Sequence, residues 1–452
     1  MHKETEIKLR ASRDTLSALR QHPLLKKRSK SGWQRHELFN QYYDTPDREL
    51  SAACVALRLR RDGETSIQTL KSRGQSVAGL SERNEWDWYL ERPELDLSKL
   101  DDSCWPAALA TLDKNRLAPI FRTDFVREKA DIAWGRGKAR VVIEAALDLG
   151  RVVSGDSEEE ICELELELRQ GEPVALLELA IELAADLPLM PCDISKAERG
   201  YRLHDPAGYR LRPAPVAPGP GDSLDRVFAT LAWQLLGTSQ RLAEQYRFNG
   251  HWTLLVDWLQ QLIDLRALLA SLGSAAPRAS SRALREGLDA LILEWRPIVV
   301  AGQGDDAIRQ SAPQRFAGEL EQPRWGLLSL QIAHWLLTRG WTIGRNARGD
   351  RQGEAVIGKW LPRTLAEEAQ ALRLDRYGHQ PEQLQSEQLP RLERMLVWLR
   401  LARSTLVLSE ADRLFGELAK LHALAEQGVQ FEALAEQART LWTLKAFREL
   451  MK

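Results

Sequence analysis

Glu4, Glu6, Lys8 and Arg10 alternate with Thr5, Ile7 and Leu9 near the start of the chain. Successive side chains of an extended strand point to opposite faces, so the four charges share one face and the apolar residues the other. A single strand of this kind is ordinary at a protein surface. The pattern recurs, however, in Arg58/Arg60, Lys71/Arg73, Arg83/Glu85/Asp87 and Glu163/Glu165/Glu167. Five strands with dense faces of mixed sign are expected to turn those faces toward one another. The three stacked carboxylates Glu163, Glu165 and Glu167 repel one another unless a cation sits among them. An all-oxygen ligand set suits Mg2+ or Mn2+, and the arginines and lysines supply contacts to phosphate oxygens. A lining with both signs therefore fits a metal-bound polyphosphate, which carboxylates alone would repel and cations alone would trap.

Periodicity defines the elements that must position these residues. Residues 12–20 form a helix with Leu16 and Leu19 on its apolar side. Residues 38–43 form a strand that runs into the turn chemistry of Asp44-Thr45-Pro46-Asp47. Strands at 56–60 and 66–73 flank Asp62-Gly63 as a hairpin, which brings Arg58, Arg60 and Lys71 together. In the strand 82–90, Trp86 and Trp88 alternate with the charged residues, so the tryptophan face is the packed one. Residues 95–112 are helical or loop. Strands follow at 121–127, at 139–147 (with Glu144, and Asp148 just beyond) and at 160–169, then a helix at 174–185. About eight strands, nearly all antiparallel by connection length, are enough to close a barrel. Charged faces inward and apolar faces outward beneath helices make that barrel a polar tunnel.

At 452 residues the chain exceeds one ordinary core, so two or more domains are expected. A formal net charge of -1 argues against a globally basic nucleic-acid binder, while 28% charged residues leave enough for a local site. Cys54, Cys104, Cys162 and Cys192 lack zinc-ligand spacing and read as reduced, structural thiols. The chain enters a strand at once, and no apolar run approaches the length of a membrane span, so a soluble cytoplasmic protein is expected. Pro206, Pro213, Pro215, Pro218 and Pro220 mark a stiff linker. From the N-cap Ser223 onward, apolar spacing of three and four predicts helices at 224–246, 251–272, 281–300, 325–339, 361–374, 389–406, 410–427 and 431–450. Trp252, Trp258, Trp295, Trp325, Trp335 and Trp341 read as core or groove aromatics. The expected fold class is α+β multidomain: an N-terminal eight-stranded antiparallel β-barrel tunnel flanked by helices (1–203), a Pro-rich linker (204–222), and a C-terminal all-α helical bundle (223–452).

Several ordered motifs carry a resemblance. Glu4-Thr5-Glu6-Ile7-Lys8, Tyr43-Asp44-Thr45-Pro46, Leu57-Arg58-Leu59-Arg60, Lys71, Arg83/Glu85, the strand Glu163 to Leu168 and Ser195-Lys196-Ala197-Glu198-Arg199-Gly200-Tyr201 resemble the CYTH superfamily, the triphosphate tunnel metalloenzymes. The resemblance covers about the first 202 residues. It implies that Lys8, Arg58, Arg60, Lys71, Arg83 and an arginine of the 122–127 strand, Arg122 or Arg127, bind phosphates. It further implies that Glu4, Glu6, Glu163 and Glu165 hold the divalent metal, with Glu85 and Asp87 available for a second ion. Lys196 would position the attacking water, with Glu4 and Glu6 beside it in the catalytic set.

The order of the two halves resembles proteins in which a tunnel precedes a CHAD domain, which implies a long-chain polyphosphate or protein partner at the helical domain. Of that family's basic helix pattern, Arg266 alone stands in place, with Val256, Leu259, Ile263 and Asp264 at the other positions. The expected activity is metal-dependent hydrolysis of inorganic triphosphate to pyrophosphate and phosphate, with no nucleic-acid or membrane partner. The alternatives are a nucleoside triphosphatase or adenylate cyclase of the same family, and a polyphosphate-binding scaffold without catalysis.

Overall fold

The computed structural model describes residues 2–29, 32–72, 74–77, 79–135, 141–211, 216–372, 388–406, 410–426 and 431–450. Arg73, Pro213 and Pro215 lie outside the described residues. The described residues form ten strands: β1 (His2–Arg10), β2 (Gln34–Asp44), β3 (Ala56–Asp62), β4 (Thr65–Lys71), β5 (Gln75–Val77), β6 (Leu80–Leu90), β7 (Ala118–Trp134), β8 (Val141–Ser154), β9 (Ser157–Gln170) and β10 (Met190–Pro191). Eight of them close a ring in the order β1-β9-β8-β7-β2-β3-β4-β6, because β1 pairs with β9 on one side and with β6 on the other. Every pairing is antiparallel. Closure leaves no unpaired edge in the ring. The short β5 and β10 pair outside it, on β6 and β1.

Alternation decides which face looks inward. The outward residues Ile7, Leu9, Ile143, Ala145, Leu164 and Leu166 are buried beneath helices. The helix α4 (Val174–Asp186) packs on β9 and β1, α1 (Arg13–Gln21) on β8 and β9, and α2 (Pro23–Arg28) on β7. The opposite wall is closed by a second apolar cluster, where Leu57 and Leu70 meet Leu50 of the short helix α3 (Glu49–Ala52), Leu100, Trp105 and Leu109, with Trp86 and Trp88 packed against them. The tryptophan face is therefore the packed one, as the alternation predicts. Residues 95–112, left between helix and loop by the sequence, supply that cover as short 3-10 turns around Leu97–Lys99 and Ala107–Leu109.

The helix α5 (Lys196–His204) packs on β7, β8 and β9. Ser195 caps it by accepting from the Glu198 N–H. Two motifs about 150 residues apart in sequence meet here. Tyr201 Oη donates at 2.8 Å to Asp44, which is fully buried and also accepts from the N–H groups of Thr45, Leu50 and Ser51. Gly200 lies directly on the Phe121 ring, leaving no room for a side chain.

The described residues divide into two compact units, one holding residues 1–212 with 314–334, the other 213–313 with 335–452. The second unit is helical, with long helices at Leu224–Asn249, Trp252–Ala270, Arg282–Gly302, Ile357–Ala371, Leu389–Ala402 and Ala411–Glu426. Its core aromatics include the edge-to-face pairs Trp258–Trp295 and Trp360–Trp398. The helix Asp306–Leu320, absent from the sequence expectation, carries Pro313 in its interior and no sustained apolar stripe. No described helix is long and apolar enough to cross a membrane. None of the four cysteines is in a disulfide; Cys54 is exposed and the others are buried.

Candidate functional site

The barrel encloses a cavity of about 250 Å³, at the small end for ligand cavities, which run from roughly 300 to 1,000 Å³. Its lining is ionic. Lys8, Arg58, Arg60, Lys71, Arg83, Arg127, Lys129, Arg169 and Lys196 face Glu4, Glu6, Asp62, Glu85, Asp87, Glu144, Glu165 and Glu167, so cations outnumber carboxylates by one. Strand register explains the arrangement, because directly paired residues share a face. One row across β1, β9 and β8 is Glu6, Glu167 and Glu144. The next is Lys8, Glu165 and Ala146, and the one beyond it is Arg10, Glu163 and Asp148. Across the other wall run Glu4 beside Arg83, Lys71 beside Glu85, and Arg58 beside Thr69 and Asp87.

Lys196 reaches inward from the first turn of α5. Its ammonium donates to Asp148 at 2.6 Å, to Glu165 at 2.9 Å and to Glu163. Those three carboxylates bring ligand atoms within 4.8 Å of one another, a spacing a metal ion could use. The ammonium already sits among all three, and Arg127 joins Asp148 and Glu165 while Arg199 joins Glu163 at 2.9 Å. Burial opposes charge on Lys196, yet Asp148, Glu163 and Glu165 outweigh it and raise its pKa, so the group is a fixed ammonium and cannot serve as a base at neutral pH. Glu165 is held well below the usual carboxylate range against its burial, by Lys196, Arg127 and Lys8.

Two groups in the lining are moved well away from their ordinary ranges. Burial, together with Arg169 pulling the other way and Glu4, Glu144 and Glu6 pushing up, moves Glu167 to about 7. In the row of Glu6, Glu167 and Glu144 the carboxylates pair with Lys8, with Arg169, and with Arg169 and Lys129, and their oxygen-only donors fit a hard divalent cation. On the other wall, burial first, then Arg58 and Arg127, bring Arg60 down to about 9. Its Nε donates to the Asn40 amide oxygen at 2.7 Å, and no carboxylate pairs with it among the described residues. Arg83 likewise has no ion-pair partner among the described residues. Arg58 reaches Glu85 at 3.4 Å with its Nε buried and unbonded. Of these guanidiniums, Arg60 and Arg83 have no carboxylate partner among the described residues.

The sequence-predicted residues Glu4, Glu6, Lys8, Arg58, Arg60, Lys71, Arg83, Glu85, Asp87, Arg127, Glu165 and Lys196 all line the cavity. Two lie elsewhere. Arg122 stands outside the barrel, half-exposed and paired with Asp124 at 3.1 Å, because β7 runs without a bulge from Arg122 to Arg127 and an odd separation puts them on opposite faces. Glu163 is held beneath α5 by Lys196 and Arg199 and does not itself line the cavity. Sequence reasoning assigned no role to Asp148, Glu144, Lys129, Arg169 or Arg199. The signal for the first two was present in the even spacing of Glu144, Ala146 and Asp148 along β8, and for Lys129 in its even offset from Arg127. No local signal marked Arg199, whose role depends on where α5 docks.

Residues 2–201 match the CYTH domain. An inorganic triphosphatase of Haemophilus influenzae is 33% identical over 166 residues, which are 37% of this chain and 46% of that protein, so the chain spans about half the length of the curated relative it matches. Among solved structures, a putative adenylyl cyclase from Hippeastrum, described as having a dominant triphosphatase activity, is 19% identical with a TM-score of 0.33, over 46% of this chain and 97% of that one. A putative adenylate cyclase from Bacillus halodurans is 21% identical with a TM-score of 0.24, over 41% and 92%.

Proposed function

We propose that the barrel hydrolyses inorganic triphosphate to pyrophosphate and phosphate with the help of a divalent metal ion, Mg2+ or Mn2+. The observation that carries this reading is Arg60, a half-buried guanidinium bonded to a neutral amide and crowded by Arg58 and Arg127, in a small cavity of about 250 Å³. A compact polyanion relieves that crowding. The lining is close to neutral, so a ligand with several negative charges is best accommodated when it arrives with cations. The CYTH match and the curated triphosphatase relative support the same reading.

In this reading Arg58, Arg60, Arg83, Lys71, Lys8 and Arg127 hold the phosphate oxygens, and Glu4, Glu6 and Glu165, with Glu167 and Glu144 in the adjoining row, hold the ion. The ion, when bound, neutralises phosphate charge and polarises the phosphoryl group. Lys196 donates hydrogen bonds from a fixed position and orients the attacking water. Most of the rate comes from positioning and charge stabilisation within a preorganised, low-dielectric lining. Phosphate release from triphosphate with and without Mg2+ or Mn2+, compared with ATP, tests the reading. Tight binding of triphosphate without turnover at any metal concentration would leave a scaffold in its place.

Two expected results follow from this arrangement. Glu167 releases its proton near 4.5 in the unfolded chain and near 7 in the fold, so without metal its contribution to stability falls as pH rises through that window. A bound cation needs the carboxylate, so metal affinity should fall about tenfold per unit as pH drops below 7. Calorimetric Mn2+ titrations at several pH values check this, and Glu167→Gln should flatten the slope; a flat profile in the unaltered protein removes Glu167 from the ion's surroundings. The other result concerns the second half of the chain. Every proposed site residue precedes Tyr201, so a chain ending at Ala217 should keep its kcat on triphosphate within a few fold. It should also be less stable, since residues 314–334 cluster with the barrel and Gly326 lies against the Leu189 carbonyl. Circular dichroism and steady-state kinetics on both lengths decide it; a folded truncation without turnover would mean that the helical half completes the site.

A further inference from the structure

One histidine lines the cavity among the described residues, His36 on β2. Its Nδ1 lies 3.0 Å from the carboxylate of Asp62, the last residue of β3. A carboxylate accepts and does not donate, so Nδ1 carries a proton and the neutral ring keeps its lone pair on Nε2. That Nε2 is shut off from solvent and has no hydrogen-bond partner among the described residues. Strand register sets the ring near Lys196. His36 pairs with Arg127, and Arg127 with Asp148, which accepts from Lys196 at 2.6 Å. Leu38, on the same face of β2 as His36, pairs with Phe125, whose ring lies 5.0 Å from the Lys196 ammonium. Neighbouring strands stand about 4.8 Å apart, so the backbones of His36 and Asp148 are roughly 10 Å apart. His36 and Lys196 therefore flank the Arg127 stretch of the lining from either side.

We propose that His36 is the catalytic base of the tunnel, taking on Nε2 a proton from the water that attacks the terminal phosphorus, with Asp62 as the positioning residue that holds the ring. The proposal deepens the triphosphatase reading and rests on it. Water attack releases a proton, and the other residues given a role do not offer to take it. Lys196 is a fixed ammonium, and Glu165 is held below the carboxylate range by Lys196, Arg127 and Lys8. Glu167, at about 7, belongs to the row assigned to the ion. The unpartnered imidazole nitrogen is left. Water oxygen bonds to the terminal phosphorus, the bridging P–O bond breaks with its electron pair leaving on pyrophosphate, and the water's proton moves onto Nε2. The imidazolium, neighboured by Asp62 and Arg60 on β3 and by Arg127 and Lys129 on β7, then passes that proton to solvent as the products leave. Its side chain is 29% exposed, which gives the proton a way out. No oxidant or second substrate is needed.

The test measures kcat and KM on inorganic triphosphate with saturating Mg2+, across about pH 5.5 to 8.5, for the unaltered protein, His36→Ala and His36→Asn. Circular dichroism confirms folding. Asparagine keeps an N–H for Asp62 and offers no proton acceptor in place of Nε2, so it carries the test even where alanine does not fold. A positioned base typically contributes about 10²- to 10⁴-fold, so both variants should lose about 10²-fold in kcat with KM within about threefold. The kcat of the unaltered protein should fall about tenfold per unit on its acid limb, and His36→Asn should lack that limb. Free imidazole should restore part of the rate to His36→Ala, which a role confined to packing would not allow. Asp62→Asn should lower kcat by about tenfold or more with KM little changed, and imidazole should not restore it. Ordinary kcat in His36→Asn, or a loss that keeps the acid limb, overturns the base and leaves the triphosphatase reading standing. An unaltered protein that does not hydrolyse triphosphate overturns both.

Discussion

Lys196→Met should lower kcat on triphosphate by about 10²- to 10³-fold, the typical effect of losing one preorganised charge-stabilising donor. The same substitution should destabilise the fold by about 3–5 kcal/mol, the usual cost of breaking a buried ion pair from one side. The reason is the company Lys196 keeps. Its ammonium is the shared partner of Asp148, Glu163 and Glu165, all of them buried. Methionine fills much of the same space and leaves the carboxylates with Arg127, Arg199 and the more distant Lys8. The pH dependence gives the mechanism away. Glu165 is held below its unfolded pKa, so its pairing stabilises the fold above the ordinary carboxylate range, and that stability is lost as the pH falls through the folded value. The difference between the two proteins should therefore be largest near pH 7.5 and shrink toward pH 4.5, where the variant's less fully compensated carboxyls take up protons. Urea unfolding at both pH values and initial rates at the upper one measure it. A variant with ordinary turnover, or a stability loss that does not change with pH, would show that the ammonium is not the cation those carboxylates depend on.

Gly200→Ala should cost turnover out of proportion to stability. A methyl group at Gly200 would stand 2.1 Å from carbon atoms of the Phe121 ring, far inside van der Waals contact. Phe121 cannot easily swing away, because it stacks on Tyr42 with ring centroids 4.7 Å apart and meets Tyr201 edge-on at 5.0 Å. The helix must then shift outward, and Lys196 lies one turn from Gly200 on that helix. Overpacking of this kind typically costs about 1–3 kcal/mol, whereas displacing a catalytic group by about 1 Å can cost on the order of 10²-fold in rate. A loss of kcat of at least tenfold, with KM little changed, is the expected pattern. Adding Phe121→Leu in the same chain makes room for the methyl and should restore part of the rate, a coupling that a double-mutant cycle reads directly. Full turnover in the single variant would detach the position of α5 from the chemistry.

The amino-acid sequence determined the outline of the barrel and the identity of most of its lining. Alternation is a local property with a period of two, so Glu4, Glu6 and Lys8, or Arg58 and Arg60, are bound to share a face wherever the strand goes. Trp86 and Trp88 then fix which face is packed, and the count of about eight strands is sufficient for closure. What only the tertiary structure decided is adjacency between elements far apart in the chain. The register of β1 against β9 and β8 places Glu6, Glu167 and Glu144 in one row, where they meet Lys8, Arg169 and Lys129. The docking of α5, set by the Gly200–Phe121 contact and the Tyr201–Asp44 hydrogen bond, puts Lys196 among three carboxylates from two strands and shuts Glu163 away from the cavity. Arg122 points outward because β7 continues unbulged past it. Strand pairing and helix docking are long-range choices among registers that local pattern leaves nearly equivalent, and burial of the whole outer face beneath its helices selects between them.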